Sequence, residues 1–285
     1  MRNKNIKLVT PVLKWVGGKR QLLPEIRKRI PKKYKVYYEP FLGGGAVLFD
    51  LQPKKAIVND LNSELINVYK TIKSFPTELV EELRKFSNDE ETFYNIRNID
   101  RDKTKYQELS NIQKAARIIY LNKTCFNGLY RVNNAGEFNS PFGRYKNPNI
   151  VNDKTIYAVN KYFNTADITF KNGDFEECIK EIQKDSFVYL DPPYDPISKT
   201  SNFTGYNQGG FSDEEQIRIK NMCDRLNENG IKFLLSNSAT PFIKELYKDY
   251  IIDIVSAKRS VNSKADKRGE IEEVLIRNYD INTEN

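Results

Sequence analysis

The sequence predicts an α/β protein with one doubly wound sheet, interrupted by a helical and loop insertion at roughly residues 61–150. Three observations support this prediction. A strand, a glycine turn, a helix and a second strand that ends in an acid follow one another over residues 36–60. Strands and helices alternate again after residue 150. Between these stretches, residues 76–122 have the spacing of apolar residues that is typical of helices.

The N-terminal elements follow from local patterns. Lys19 to Ile30 is predicted to be a basic helix that ends at Pro31, because proline cannot continue a helix. The next predicted elements are the strand VYYE (36–39), the helix AVLFDL (46–51), the strand AIVND (56–60) and a helix over 61–73.

The C-terminal half repeats this alternation. Ser212, with Glu215 three residues later, has the pattern of a helix N-cap. The polar and glycine-rich run 195–211 is predicted to be a mobile loop. The remaining predicted elements are the strand ITFKNGD, the helix FEECIKEI, the buried strand FVYL, the strand KFLLSNS with a helix after it, and two final strands near 251–257 and 273–279.

Composition excludes several classes of protein. Histidine is absent, which removes every mechanism that needs an imidazole base. Cys125, Cys178 and Cys223 are far apart in sequence, so neither a disulfide framework nor a zinc site is expected, and a reduced compartment is the default. There is no apolar run of about 18 residues and no secretory signal, so we expect a cytoplasmic protein without a membrane span.

Positive charge is concentrated at the N-terminus. The chain has a net charge of +8, whereas residues 1–36 contain twelve Lys and Arg and a single acid, Glu25. This asymmetry suggests a polyanionic partner, although a solvated basic face explains it equally well.

The glycine segment Gly43-Gly44-Gly45 lies between a strand and a helix. Glycines there let the backbone approach a ligand, but a tight strand-to-helix turn needs them too. Asp60 ends the next strand, where a carboxylate can accept both hydroxyls of a ribose or can cap the following helix.

The sharpest signal is DPPY (191–194) after a predicted central strand. The Asp191 carboxylate and the prolyl carbonyls provide only acceptors, which suits a planar NH2 donor. Tyr194 adds an aromatic face on which a base could stack. A rigid turn is the alternative, but an acid, acceptors and an aromatic ring at one strand end favour a functional site.

Two further segments combine aromatic, basic and glycine residues. KWVGGK (14–19) is a site candidate, or simply a basic turn before a helix. The stretch 123–149 is rich in Asn, Gly, aromatic residues and Arg, and a segment this long without regular structure is usually functional. Within it, YRVNNAGEF is predicted to form a hairpin around residues 133–136.

Together these motifs resemble the Dam-type (alpha-group) DNA adenine-N6 methyltransferases, and most closely their GATC-modifying members of the DpnM kind. The similarity runs essentially from end to end. The matching blocks, in order, are Lys14 to Lys19, Glu39 to Gly45, Asn59-Asp60, Phe126 to Arg131 with its continuation to Tyr145, Gly173 to Phe175, and Asp191 to Tyr194.

The resemblance implies a Rossmann-like S-adenosylmethionine-dependent methyltransferase fold. Its catalytic domain would comprise residues 1–60 and 151–285, and residues 61–150 would form a target-recognition insertion. Asp191 and Pro192 would hold the amine of a flipped adenine, with Tyr194 stacked on the base. The implied cofactor-binding residues are Trp15, Lys19, Glu39, Phe41, Gly43, Asp60, Asp174, Phe175 and Asp191.

The resemblance also implies a DNA-binding set. Arg131 would read a guanine, with a phosphate contact as its alternative, and Phe126 would enter the DNA stack unless it is an ordinary core residue. The other members are Lys14, Asn127, Leu129, Pro141 and Tyr145.

The expected partner is double-stranded DNA, with no metal, and the protein is expected to act as a monomer. Whether a cognate restriction endonuclease accompanies the protein is left open. Two rivals also stay open at this point: an amino-methyltransferase of the same fold acting on N4 of cytosine, RNA adenine or a protein glutamine, and a DNA-binding module without catalysis.

Overall fold

A computed structural model describes residues 8–197, 211–258 and 270–281. Most of the run 195–211 that was predicted to be a mobile loop, and the first seven residues of the basic N-terminus, lie outside this part. The described strands are β1 (Val36–Glu39), β2 (Lys55–Asp60), β3 (Asp167–Asn172), β4 (Ser186–Leu190), β5 (Lys232–Ser238), β6 (Ile251–Lys258) and β7 (Glu270–Arg277).

The described helices follow the predicted order, and AVLFDL forms a helix over the predicted residues. They are α1 (Leu23–Arg27), α2 (Ala46–Leu51), α3 (Ser63–Ser74), α4 (Pro76–Arg84), α5 (Glu90–Arg97), α6 (Lys103–Glu108), α7 (Asn111–Thr124), α8 (Asp153–Thr165), α9 (Phe175–Ile179), α10 (Asp213–Glu228) and α11 (Pro241–Leu246).

The strands form one sheet in the order β3-β2-β1-β4-β5-β7-β6. The first five strands in this order are mutually parallel, and β7 is antiparallel to both β5 and β6. The chain winds outward from β1 to β3 and then returns to place β4 on the other side of β1. This is the predicted doubly wound, Rossmann-like α/β fold, and its connections reverse direction between β1 and β4.

The sheet is buried on both faces, as parallel sheets require. Side chains alternate along a strand, so Tyr37 faces one core and Val36 and Tyr38 face the other. The first core continues from the sheet into α3 and α7, through residues such as Leu65 and Ile118. The division at residues 61 and 150 into catalytic domain and insertion therefore stays a prediction, since one apolar core crosses both boundaries.

Two local predictions need correction. Residues 76–122 are not continuously helical, because Asp89, Asp102 and Ser110 each cap a new helix by accepting a backbone N–H. Ser212 does precede α10, but its side chain makes no cap hydrogen bond. Glu215, the expected capping partner, pairs with Arg218 instead, at 2.9 Å.

Candidate active site

Four acidic side chains lie at the carboxyl edge of the sheet, where neighbouring parallel strands end. Glu39 is the last residue of β1 and Asp60 is the last residue of β2. Asp174 follows β3, and Asp191 follows β4 directly. Ligands bind to open α/β sheets at this edge, in the crevice where the strand order reverses. The fold thus gathers acids that are up to 152 residues apart in the sequence.

The glycine loop after β1 is closed by Asp60. The Gly43 N–H donates to Asp60 Oδ2 at 2.8 Å, and the Asn62 N–H donates to Oδ1 at 2.9 Å. Gly45 has φ +67°, and a Cβ there would lie 2.9 Å from the Phe49 ring, so only glycine fits. The cap of α3 is Asn62. The alternative role of Asp60 as a helix N-cap is therefore wrong.

The Trp15 side chain packs against the glycine loop. A Cβ on Gly43 would lie 3.2 Å from its Cδ1 atom, which means that the loop backbone packs directly against the indole. On its other side the Trp15 ring stacks on Tyr130, with centroids 4.9 Å apart. KWVGGK is therefore more than a basic turn, because it joins the glycine loop to the segment that carries Arg131.

Glu39 is buried at the centre of the edge, with 2% of its surface exposed. The Tyr37 hydroxyl donates to Glu39 Oε2 at 2.9 Å. Burial raises the pKa of Glu39 well above its ordinary value, and the nearby charges of Asp191 and Asp60 raise it further. A cation or an N–H donor from a ligand would stabilise the buried Glu39 carboxylate.

Asp174 and Phe175 form the outer side of the crevice. Asp174 Oδ1 accepts the Glu176 N–H at 3.0 Å and lies 3.1 Å from Arg218 Nη2. The Phe175 ring lies between Phe41, at 5.2 Å, and the Arg218 guanidinium, at 4.7 Å. An acceptor next to an apolar ring suits a planar ligand that carries an N–H group.

Asp191 is paired with Lys19. The Lys19 Nζ lies 2.7 Å from Asp191 Oδ1, and the Ser236 hydroxyl donates to the same oxygen at 2.9 Å. No other described residue pairs with Oδ2. Burial raises the pKa of the Asp191 carboxyl, although Lys19 and Ser236 both act to lower it. The ammonium also lies 4.4 Å from the centre of the Tyr194 ring.

Residues from α10, β5 and β7 hold the turn after Asp191. Gln216 Nε2 donates to the Pro193 carbonyl at 2.9 Å, and the Asp195 N–H donates to Asn237 Oδ1 at 3.0 Å. The Tyr194 hydroxyl donates to Glu273 Oε2 at 2.8 Å. The expectation that both prolyl carbonyls are acceptors for a ligand is therefore wrong for Pro193, because its oxygen already accepts from Gln216. The Pro192 carbonyl has no partner among the described residues.

The predicted DNA-binding residues lie on or near the surface of the 123–149 segment. Phe126 is 55% exposed, so it is not a core residue. The predicted hairpin forms, with a bridge between Val132 and Phe138. Within it the Arg131 Nε donates to Asn139 Oδ1 at 2.6 Å. Asn127, Pro141 and Tyr145 are exposed, and Leu129 is half-buried.

Asn122, which the sequence did not single out, joins the N-terminal segment to this one. Its Oδ1 accepts the Lys14 N–H at 2.9 Å, and its Nδ2 donates to the Lys14 carbonyl at 2.8 Å. Nδ2 also donates to the Gly128 carbonyl at 3.1 Å. The Asn122 amide thus pairs with the Lys14 backbone as a neighbouring strand would, and it fixes exposed Lys14 beside Gly128.

A buried ionic network anchors the hairpin through the backbone of Phe138. Asp100 Oδ2 accepts the Phe138 N–H at 2.8 Å and lies 2.7 Å from Arg117 Nη2. Arg101 pairs with Asp100 and donates to the Phe138 carbonyl at 2.6 Å. Asp100 and Arg117 are 6% and 2% exposed. A charged residue inside the apolar run AARIIYL was the one signal in the sequence that pointed to this network.

Other chemistries find no support in the described part of the chain. No three Cys, Asp or Glu side chains there are grouped as metal ligands. Burial raises the pKa of the Cys125 and Cys178 thiols to about 12, so neither provides a thiolate at neutral pH. No helix in the described ranges is long and apolar enough to cross a membrane.

The chain is similar to known proteins over nearly its whole length. A profile of the D12 class N6 adenine-specific DNA methyltransferases matches residues 15–261. The chain is 46% identical to the type II methyltransferase M1.LlaDCHI of Lactococcus lactis subsp. cremoris, over 97% of this chain and 98% of the relative. It is 43% identical to the type II methyltransferase M.MjaIII of Methanocaldococcus jannaschii, over 95% and 99%. The DNA adenine methylase of Salmonella typhi is 34% identical, over 92% and 93%.

Proposed function

The chain belongs to the D12 class N6 adenine-specific DNA methyltransferase family, and from this premise we propose that it methylates a flipped adenine in double-stranded DNA at GATC, with S-adenosylmethionine as methyl donor. The protein is an adenine-specific DNA methyltransferase. The target sequence, the roles of individual residues and the flipping of the base are the proposal. The observation that carries it is that Asp191, Pro192 and Tyr194 follow the central strand β4, at the same edge of the sheet as the glycine loop that follows the neighbouring strand β1.

The carboxyl edge suits S-adenosylmethionine. Glu39, Asp60 and Asp174 are acceptors spread across three neighbouring strands, and the donor molecule carries an ammonium, two ribose hydroxyls and an adenine amine. The glycine loop permits close approach, and Asn59 Oδ1 is buried without a partner in the described ranges, which leaves an acceptor for a ligand or a water molecule. When bound, S-adenosylmethionine supplies a methyl group on a positively charged sulfur.

The protein's own residues prepare the nucleophile. The lone pair of an adenine amine is delocalised into the ring, so the amine attacks poorly. We assign Asp191 Oδ2 and the Pro192 carbonyl to accept its two N–H bonds, since Oδ1 is already bonded to Lys19 and Ser236. Two acceptors favour a pyramidal nitrogen with a localised lone pair. A carboxylate whose pKa is raised by burial also accepts more readily the proton that the methylated nitrogen releases.

Tyr194 would stack on the extruded base, and Lys14 and residues 123–149 would contact the surrounding DNA. The Tyr194 hydroxyl is anchored by Glu273 and the Lys19 ammonium lies over one face of the ring, so we assign the opposite face to stacking on the base. Flipping costs a few kcal/mol, and contacts of exposed Lys14, Phe126 and Asn127 with the duplex would offset it. Arg131 retains donors beyond those used by Asn139, in the fork geometry that reads guanine O6 and N7.

The cellular role is proposed on the same basis. Two relatives are named type II methyltransferases, which supports a restriction-modification system with a cognate endonuclease. We place the protein in the cytoplasm, where the DNA is, and propose that it acts as a monomer on duplex DNA.

Two measurements test the proposal. Treated plasmid is digested with one nuclease that methylation at GATC blocks and one that requires it; protection from the first and cleavage by the second are expected. Nucleoside mass spectrometry of the same DNA should show N6-methyladenine. N6-methyladenine with unprotected GATC would reject the target sequence alone, and N4-methylcytosine as the only product would reject the chemistry.

A further inference from the structure

The basic N-terminal segment does not form a single surface. Lys14 and Lys19 lie at the proposed site, next to Asn122 and Asp191. Three of the next cations are neutralised. Arg27 pairs with Asp50, Lys28 pairs with Glu25, and Arg29 pairs with both Glu25 and Asp253.

The last three lysines of the segment face the opposite edge of the sheet. Lys32, Lys33 and Lys35 precede β1, and they line a cavity of about 740 Å³. Residues at the amino ends of β2 and β5 contribute the rest of its basic lining, namely Lys54, Lys55 and Lys232. Because β1, β2, β4 and β5 are parallel, all of these residues lie at the edge away from Asp191.

The charge of this cavity, which we call the amino-edge cavity, is poorly compensated. Its lining includes six lysines and one acid, Asp185, a net of +5 against +8 for the whole chain. Asp185 pairs with Lys35 at 2.6 Å, but both side chains are more than 60% exposed, so the pair contributes little. Lys55 lies 3.5 Å from Asp167, again between two exposed side chains, whereas Lys33 and Lys54 have no acidic partner in the described ranges. Like charges gathered in this way repel one another, and a bound polyanion would remove the repulsion.

The lining favours the backbone of a duplex over single strands. Lysines contact phosphates as point charges, whereas single-stranded binding sites add exposed aromatic rings on which bases stack. The aromatic ring in the lining is Tyr34, which packs against Tyr37 and Phe187 of the core. It is half-buried and is not free as a stacking platform.

We propose that the amino-edge cavity binds the phosphate backbone of a second DNA segment, separate from the duplex at the active site. Five residues of strand alone separate the two edges by roughly 17 Å at about 3.3 Å per residue. Duplex DNA has a persistence length of about 50 nm, so one short duplex cannot bend around the sheet to reach both edges. On long DNA, a second contact keeps the enzyme bound while the active site releases its product.

The test compares two lengths of DNA, using a duplex that the wild-type protein methylates. One is a single-site duplex of about 12 base pairs, roughly 41 Å long at 3.4 Å per base pair. The other is a linear DNA of several kilobases with many sites. The variant K33E/K54E reverses two exposed charges of the cavity. The matched control, K70E/K180E, makes the same charge change at exposed lysines that do not line it.

For K33E/K54E we expect unchanged methylation and affinity on the short duplex, and fewer methyl transfers per binding event on the long DNA. The slope of log K against log salt on long DNA should become shallower by about 2, one for each phosphate that the two lysines no longer neutralise. The control should behave as the wild type. The proposal would be overturned if K70E/K180E lost as much methylation and affinity as K33E/K54E. It would also be overturned if K33E/K54E lost as much on the short duplex as on the long DNA, or if it behaved as the wild type on long DNA.

The outcome does not depend on the GATC assignment. If the wild type methylates another sequence, duplexes that contain that sequence replace the GATC ones, and the comparison of lengths is unchanged. The neutral variant K33Q/K54Q removes the same two phosphate contacts, so its salt slope on long DNA should also become shallower by about 2. If K33E/K54E shows these effects and K33Q/K54Q does not, the effects come from repulsion of DNA by the new acids. That result would also overturn the proposal that the amino-edge cavity binds DNA.

Discussion

At the carboxyl edge of the sheet, each acidic side chain of the proposed site ends or follows a strand whose backbone is paired in the parallel ladder. The recognition hairpin, residues 129–140, has one isolated bridge across it, and a second bridge joins Cys125 to Phe142 beside it. Its position depends instead on the buried charges of Asp100 and Arg117. Because the strands are held mainly by backbone pairing, we expect the loss of one side chain to disturb them less than it disturbs the hairpin.

This contrast matters for function because the two regions do different work. Chemistry at the edge needs acceptors fixed on rigid elements, and the central strands β1 and β4 provide them. Recognition of DNA tolerates a segment that adapts, but under the proposed function Arg131 must still reach a defined base. The comparison predicts that damage to the edge stops turnover, and that damage to the network beneath the hairpin relaxes selectivity.

The largest effect is expected from Asp191→Ala. It removes the proposed acceptor for the adenine amine, and we expect turnover to fall by at least about 10³-fold, the upper end for removal of one catalytic hydrogen-bonding group. DNA binding should remain largely intact. Single-turnover methylation and a binding titration measure the two separately. Asp213→Ala, at the start of α10, is the control, and near-wild-type turnover of Asp191→Ala would contradict the assigned role.

Asp100→Asn is expected to come next. It leaves Arg117 buried without its anionic partner, at a cost of about 3–5 kcal/mol in the free energy of unfolding. Discrimination between cognate and near-cognate sites should decrease as well, because the Phe138 N–H loses its charged acceptor.

Asp253→Asn is the matched control for this variant. Asp253 also bridges two arginines, Arg29 and Arg277, but it lies on β6, away from the hairpin. Denaturant unfolding and methylation of single-mismatch duplexes are measured for both variants. If both lose the same selectivity, the loss reflects general destabilisation, and the assigned role of the network is wrong.

Arg131→Ala should cost about 1–3 kcal/mol in discrimination at one guanine, as expected for a base-reading arginine. Asn139→Ala, which frees the guanidinium but leaves it in place, should cost about 1 kcal/mol or less. Methylation rates on duplexes substituted at each position provide the measurement. A uniform loss of affinity across all sequences would instead identify Arg131 as a phosphate contact.

The smallest effect concerns pH and Glu39. Its pKa in the folded protein is well above the 4.5 of an exposed carboxyl, so between these values the folded state binds more protons than the unfolded state. Stability therefore falls as pH rises through this window. Glu39→Gln cannot titrate, so its stability relative to the wild type should increase as pH rises above 4.5. Denaturant unfolding at several pH values, without substrate, checks the sign; a relative decrease would contradict it.

The parts of the fold that were predicted from the sequence are those with strong local signals. The strand VYYE and the helix AVLFDL have the predicted bounds, because apolar runs next to glycines define such elements. The breaks in the 76–122 region were missed, although Asp89, Asp102 and Ser110 are residues that commonly cap helices. Ser212 shows the converse, since its expected partner Glu215 pairs with a cation instead.

The residues of the candidate site also divide into those that the local sequence predicts and those that it does not. Asp60 and Asp191 could be predicted because Asp60 ends a strand and Asp191 follows one, and position in the sequence fixes that relation. Gln216, Asn237 and Glu273 could not, because they come from elements that only the sheet order brings next to Asp191. Their polar side chains look ordinary in sequence, and their role depends on contact across the fold.

The sequence by itself determined the alternation of strands and helices, the acids at the strand ends and the concentration of positive charge near the N-terminus, because each is a property of neighbouring residues. Only the tertiary structure decided that Lys19 lies against Asp191 while Lys32, Lys33 and Lys35 line the far edge. The physical reason is that the amino and carboxyl ends of parallel strands are separated by the length of the strands, so cations close in sequence are placed at opposite edges of the sheet.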